Sequence, residues 1–290
     1  MYALSAQTGK QAWKAQVGWV LIAPQVVGEM VCAASDTGEF SAIRASSGTV
    51  AWQVRTGVPV DFARTWTVVG GNVVLCSSTG PLAAYNVATG KQGRTYGSQD
   101  QFYQAVGAAA EAIYAVDESG TLHAFSAGTG ALLWNTAVVA DGGVPSTSVV
   151  AGGGDVYVGT TSGTLYCADA ATGHLKWSYA TGNELEAAPA VTNDMVYLTD
   201  TGGNLYAITA ASGKLAWRHP SAPGLAGPAA ANGKVYVSTG TAVQELDGTS
   251  GDAGWSYSPP NVGAFASTPA VAGGLVFIGC TDDSLYALRT

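Results

Sequence analysis

Ala3-Leu4-Ser5-Ala6-Gln7-Thr8-Gly9-Lys10-Gln11-Ala12-Trp13 opens on Ala, carries Gly seventh and closes on Trp. The same frame returns six more times. Its glycines are Gly9, Gly48, Gly90, Gly130, Gly173, Gly213 and Gly251, spaced 38 to 43 residues apart. A period near forty marks one supersecondary unit repeated side by side, because a single small unit cannot bury its own apolar faces. The repeat fills the chain without an evident linker, so residues 1–290 are read as one domain.

One copy can be read strand by strand. Pro189-Ala190-Val191 is a short apolar strand, Asn193-Asp194 a tight turn, and Met195 to Thr199 an alternating second strand. Gly202-Gly203 reverses the chain into Asn204 to Ile208, and Ala211 to Lys214 turns it again into Leu215-Ala216-Trp217. Second strands of this kind occur seven times. Third strands occur eight times, since Leu285-Tyr286-Ala287 repeats Tyr2-Ala3-Leu4. A row of such sheets would leave open edges, whereas a ring covers them. The sequence therefore predicts an all-β, seven-bladed β-propeller of four-stranded antiparallel blades, monomeric and closed by N- and C-terminal strands in one blade. Residues 10–15 would join residues 267–288, with the two copies of the third strand competing for one place.

Glycine in the motif supplies the positive φ that the turn between third and fourth strands requires. Tryptophan closes six of the seven copies; the exception is Arg94. A large flat side chain at a fixed place in each blade is read as packing between blades, worth roughly 2–3 kcal/mol per buried ring.

Charged residues make up only 11% of the chain, and 12 Lys and Arg stand against 20 Asp and Glu. There is no basic stripe to displace counterions, which argues against nucleic acid as a partner. No apolar run reaches the length of a membrane span, and the first residues lack the pattern of a secretory signal. Cys32, Cys76, Cys167 and Cys280 sit singly in apolar runs, as buried thiols do; free thiols lean towards a reducing, cytoplasmic compartment.

The eleven-residue frame resembles the tryptophan-docking motif of the pyrroloquinoline-quinone-like (PQQ-like) repeat superfamily, over essentially the whole chain. That resemblance implies the propeller fold. It leaves activity open, because such blades build quinoprotein dehydrogenases, an outer-membrane assembly lipoprotein and sensor domains of bacterial receptor-like serine/threonine kinases. The dehydrogenases of this superfamily use adjacent cysteines against the quinone and a calcium ion, and this chain has neither adjacent cysteines nor a carboxylate cluster of calcium-binding spacing. No cofactor and no metal are expected. The resemblance favours a non-enzymatic ligand- or protein-binding propeller of the sensor type, a bacterial domain for which an extracytoplasmic site is also open. The start in mid-repeat fits a segment of a longer protein. An assembly scaffold similar to the outer-membrane lipoprotein is the first alternative.

Residues that break the repeat are the candidates for function. Trp19 and Trp66 lie outside the motif, in or near the segments that enter successive blades. Equivalent segments hold Asp61, Phe62 and Arg64; Phe102 and Tyr103; Glu184 and Glu186; and Phe265. Aromatic rings with a few charges suit a binding mouth for a small molecule or protein, combining apolar contact with orienting polar groups. Trp66 stands where other first strands begin with Pro24, Pro189, Pro228 and Pro269, and is expected to face that mouth. As a further alternative, Glu184, Glu186, Asp61 and Arg64 would supply acid, base and charge stabilisation to an enzyme. His123 replaces the Tyr of the third-strand pattern and His174 follows a turn glycine; both are read as structural.

Overall fold

The computed structural model of the chain describes residues 1–18, 20, 23–55, 66–76, 80–98, 103–223, 226–260, 263–265 and 267–290. Trp19, Asp61, Phe62, Arg64 and Phe102 lie outside the described residues. Among the described residues the structure is all β, with no helix capable of crossing a membrane. It is a seven-bladed β-propeller in class, built of antiparallel blades. We label the blades A (25–55), B (66–96), C (103–137), D (150–180), E (190–220), F (229–257) and G (270–289). Blades A to F have four strands in simple meander order, and blade G has three. A hairpin, Tyr2–Leu4 with Gln11–Lys14, precedes blade A.

Within these residues the chain divides into two compact units. The first, Met1–Ala137, contains the hairpin and blades A to C; the second, Val138–Thr290, contains blades D to G. In the first unit Gln11–Lys14 pairs with Tyr2–Leu4 through Tyr2↔Lys14 and Ala3↔Trp13. Of the two third-strand copies expected to compete for the place beside Gln11–Lys14, the N-terminal one therefore takes it.

Burial follows strand position. Second strands such as Met30–Ala34 and Asp155–Gly159 are buried at every residue; in blade A the two faces are covered by blade B and by the segment after the hairpin. Fourth strands such as Leu175–Ala180 and Leu215–Pro220 alternate exposed and half-buried residues, as outer strands covered on one side do. Within each unit, cores lie between consecutive blades. Met30, Cys32 and Phe40 of blade A meet Val73 and Leu75 of blade B. In the second unit, Leu165 and Cys167 of blade D meet Val196 and Ile208 of blade E.

All seven motif glycines have φ between +67° and +77°. At Gly48 a second requirement appears: a Cβ there would lie 2.7 Å from the ring of Trp13. The glycine is thus both the turn residue and the floor on which the preceding tryptophan rests. The indole Nε1 of Trp13 donates to Ala45 O at 2.7 Å, that of Trp52 to Val87 O at 2.7 Å, that of Trp177 to Ala210 O at 2.7 Å and that of Trp217 to Gly248 O at 3.0 Å. Each acceptor lies three residues before the glycine beneath the ring. The register slips by one residue just before the tryptophan in the hairpin and in blades A, C, D and E, a β-bulge that the sequence pattern does not reveal.

Candidate functional site

In blades D to G the segment that enters the blade is held against the turn between its second and third strands. In blade E the anchor is Asp200, fully buried at the end of Met195–Thr199. Its Oδ1 accepts from the backbone and side-chain nitrogens of Asn204, at 2.9 and 3.0 Å. Its Oδ2 accepts from Tyr206 Oη at 2.9 Å and from Asn183 Nδ2 of the entering segment at 3.1 Å. Burial by itself pushes this carboxyl up, but the bonds from Asn204, Asn183 and Tyr206 outweigh it and hold the group below the ordinary carboxylate range.

Blade C uses the same geometry with a different donor. Asp117 accepts from Ser119 Oγ at 2.6 Å and shares a 2.8 Å bond with His123 Nε2. His123 stands six residues after the acid, as Tyr206 does after Asp200. It is 3% exposed, so the reading of His123 as structural agrees with its position. In blade D the acid comes from the entering segment instead. Asp141 accepts from Thr164 Oγ1 at 2.7 Å, from Ser162 Oγ and from the Gly143 amide, and these bonds overcome the burial effect to lower its pKa to about 2. These anchors fasten loops. They were missed in the sequence, although the spacing Asp117–His123 and Asp200–Tyr206 carries the signal.

Three predicted site residues fill cores rather than a mouth. Trp66 is 5% exposed and meets Phe40 edge-on at 5.2 Å, in a cluster with Met30 and Leu75. Its Nε1 is buried with no hydrogen-bond partner among the described residues. The expectation that this ring faces a ligand is corrected: the start of blade B's first strand opens towards blade A, and the indole packs there. Tyr103, 2% exposed, stands edge-on to His123 at 5.5 Å. Phe265, 1% exposed, stands edge-on to Tyr286 at 5.5 Å. Both bridge to the end of a second strand, Tyr103 to Asp117 and Phe265 to Cys280, and so plug the blade where the chain enters it.

Among the described residues, Glu184 and Glu186 are the predicted ones that are not buried. They flank Leu185, which is 1% exposed and donates its amide to Thr160 O at 3.2 Å, while Glu184 O accepts from Thr201 N at 2.9 Å. The backbone is therefore fixed to the turns of both blade D and blade E. Both side chains are half-buried, and neither carboxylate has a hydrogen bond or ion pair among the described residues. Cys32, Cys76 and Cys167 are buried free thiols and Cys280 is half-buried. Burial pushes Cys32 up to about 11 and Cys167 up to about 12, so neither supplies a thiolate near neutral pH.

A family model described as "Outer membrane protein assembly factor BamB" matches residues 1–110, 118–226 and 203–290. The chain belongs to that family. The match agrees with the PQQ-like repeat that the eleven-residue frame resembles. No curated protein matches this BamB-family chain in sequence. Among solved structures, BamB from Moraxella catarrhalis is similar over 92% of this chain and 84% of its own, with a TM-score of 0.73 and 17% identity. The computationally designed Ika8 protein is similar over 92% and 95%, with a TM-score of 0.65 and 12% identity. A europium-containing methanol dehydrogenase is similar over 92% and 77%, with a TM-score of 0.67 and 14% identity. A design, an assembly factor and a dehydrogenase on one architecture show a shared fold and nothing finer.

Proposed function

We propose that this chain is a protein-binding propeller that serves as an interaction or assembly scaffold. The observation that carries this reading is the family match, which spans nearly the whole chain and whose description names an assembly factor. It favours a scaffold over the sensor domain that the sequence first suggested. The blade-entry end of the second unit is the surface we assign to the partner, with Glu184 and Glu186 as its accessible charges. Two unpaired carboxylates on a backbone fixed by Thr160 and Thr201 suit a partner that brings basic side chains to that end. Trp19, Asp61, Phe62, Arg64 and Phe102, outside the described residues, stay separate binding candidates of the first unit.

The test is site-specific photo-crosslinking in the native cell, with the photoreactive residue placed at Glu184 or Glu186 and, as a control, at Thr172 in the opposite turn of blade D. The expected result is one or a few protein adducts from 184 and 186 that disappear when the other glutamate is changed to lysine (Glu186→Lys with the probe at 184, Glu184→Lys with the probe at 186). Adducts that form equally from position 172, or none from 184 and 186, would overturn the proposal.

A further inference from the structure

Blade B lacks the tryptophan of the repeat, and the first unit shows what replaces it. Where Trp13 lays its ring over Gly48 and Trp52 over Gly90, Arg94 lays only its aliphatic stem over Gly130, with Cδ 2.7 Å from where a Cβ would stand. The hydrogen bond that an indole makes to the carbonyl three residues before the glycine passes to Tyr96, whose hydroxyl donates to Ala127 O at 3.0 Å. The Arg94 guanidinium donates to the neighbouring carbonyl, Gly128 O. Two thin side chains thus share the work of one broad ring. The volume left beside them is a pocket of about 320 Å³ between blades B and C.

The pocket floor is apolar, with Val69, Ala84 and the buried Tyr96. Its rim carries two exposed charges of opposite sign, Arg94 and Glu111. Among the described residues neither has an ion-pair partner, and the Arg94 guanidinium makes one hydrogen bond, to Gly128 O. The hairpin that carries Glu111 is also unusual. Ala110 adopts φ +50° at the place where Gly28, Gly70, Gly153 and Gly273 adopt φ of +54° to +64° in other blades. A non-glycine residue held in the left-handed region costs roughly 1–2 kcal/mol, and such positions cluster at ligand sites. Here the methyl group that brings this strain lines the pocket.

We propose that this pocket binds a zwitterionic ligand with an apolar or aromatic side chain, of the class of free α-amino acids. The carboxylate pairs with the Arg94 guanidinium, whose fork suits it. The ammonium pairs with Glu111, and the side chain covers Val69 and Ala84. A molecule with only one of these charges would leave the other rim residue unmatched, and a ligand with a flat ring would restore the bulk that the missing tryptophan takes with it. This site is independent of the protein partner proposed above: it lies in the other unit and in the turns at which the motif glycines stand.

The test titrates the full chain with L-tryptophan, L-phenylalanine and L-leucine up to about 10 mM, with indole-3-acetate and tryptamine as single-charge analogues, by amide chemical-shift mapping. The expected result is saturable shifts confined to residues 69–72, 94–96, 110–111 and 127–128, with each analogue about tenfold weaker than L-tryptophan. Arg94→Ala should weaken L-tryptophan and indole-3-acetate about tenfold and leave tryptamine unchanged; Glu111→Gln should weaken L-tryptophan and tryptamine about tenfold and leave indole-3-acetate unchanged. Arg94→Trp restores the repeat's own residue, is expected to keep the fold, and should abolish binding by filling the pocket. Absence of saturable binding to the wild type, shifts centred elsewhere, or undiminished binding by a folded Arg94→Trp variant would each overturn the proposal.

Discussion

The contact of Trp177 with Gly213 and that of Arg94 with Gly130 occupy the same place in the repeat and are built differently. In the second unit one indole covers the glycine and bonds to Ala210 O. In the first, Arg94 covers and Tyr96 bonds, and a pocket remains. A rigid ring fixes the spacing of two blades; a flexible stem follows it. The repeat therefore tolerates losing its most recognisable residue, provided that a neighbour supplies the lost hydrogen bond and an unfilled volume is accepted.

That comparison can be broken or sharpened by substitution. The largest effect is expected at Trp66, a buried aromatic residue of the same unit that does pack as a rigid ring. Trp66→Ala should lose about 3–5 kcal/mol in urea unfolding, because a fully enclosed indole leaves a cavity. Trp66→Phe, which keeps most of the ring and removes the unpartnered N–H, should lose only about 1 kcal/mol. Equal losses for the two would show that the indole nitrogen matters more than the packing.

Next in size is the pair of glycines. Gly213→Ala places a Cβ 2.6 Å from the Trp177 ring at φ +68°, and should lose about 2–4 kcal/mol. Gly130→Ala meets Arg94 Cδ, which can swing away, and should lose about 1–2 kcal/mol from backbone strain alone. If Gly130→Ala proved as damaging as Gly213→Ala, the Arg94 stem would be as rigid as the indole and the contrast would fail.

The smallest effect concerns pH. Asp200 and Asp117 have pKa values below the ordinary range in the folded chain, and Asp141 lies at about 2. A lowered folded pKa means that the stabilisation is complete above the unfolded value of about 3.9 and disappears as pH falls through the folded one. Melting temperature should therefore fall as pH drops from about 4 towards about 2. Asp200→Asn should lower it at neutral pH and flatten this decline. A decline of unchanged steepness in the variant would remove Asp200 from the anchoring role.

Much of this could be read from residue order alone. The φ requirement of a tight turn is local, so Gly9 through Gly251 reveal the turn positions directly, and the alternation from Met195 to Thr199 reveals the strand. Arg94 is visible as the exception, and His123 as a substitute for tyrosine. Other features escape the sequence for a physical reason. Trp66 looks like a residue outside the pattern, and only the approach of Phe40 shows that it belongs to a core. Tyr96 is unremarkable until its hydroxyl is seen at the carbonyl that an indole would otherwise take. The anchoring of entry segments by Asp141 and Asn183 depends on turns some twenty residues away, whose distance no pattern in the chain encodes.

The sequence by itself determined the period, the blade, the turn glycines and the superfamily, since all of these rest on local backbone chemistry repeated at a fixed interval. Tertiary structure decided which side chains are buried and which remain free, because within each unit neighbouring blades bury their faces against one another. Trp13, Trp52, Trp177 and Trp217 reach acceptors 31 to 35 residues further on, and only at that range does the absence of such a ring become a pocket.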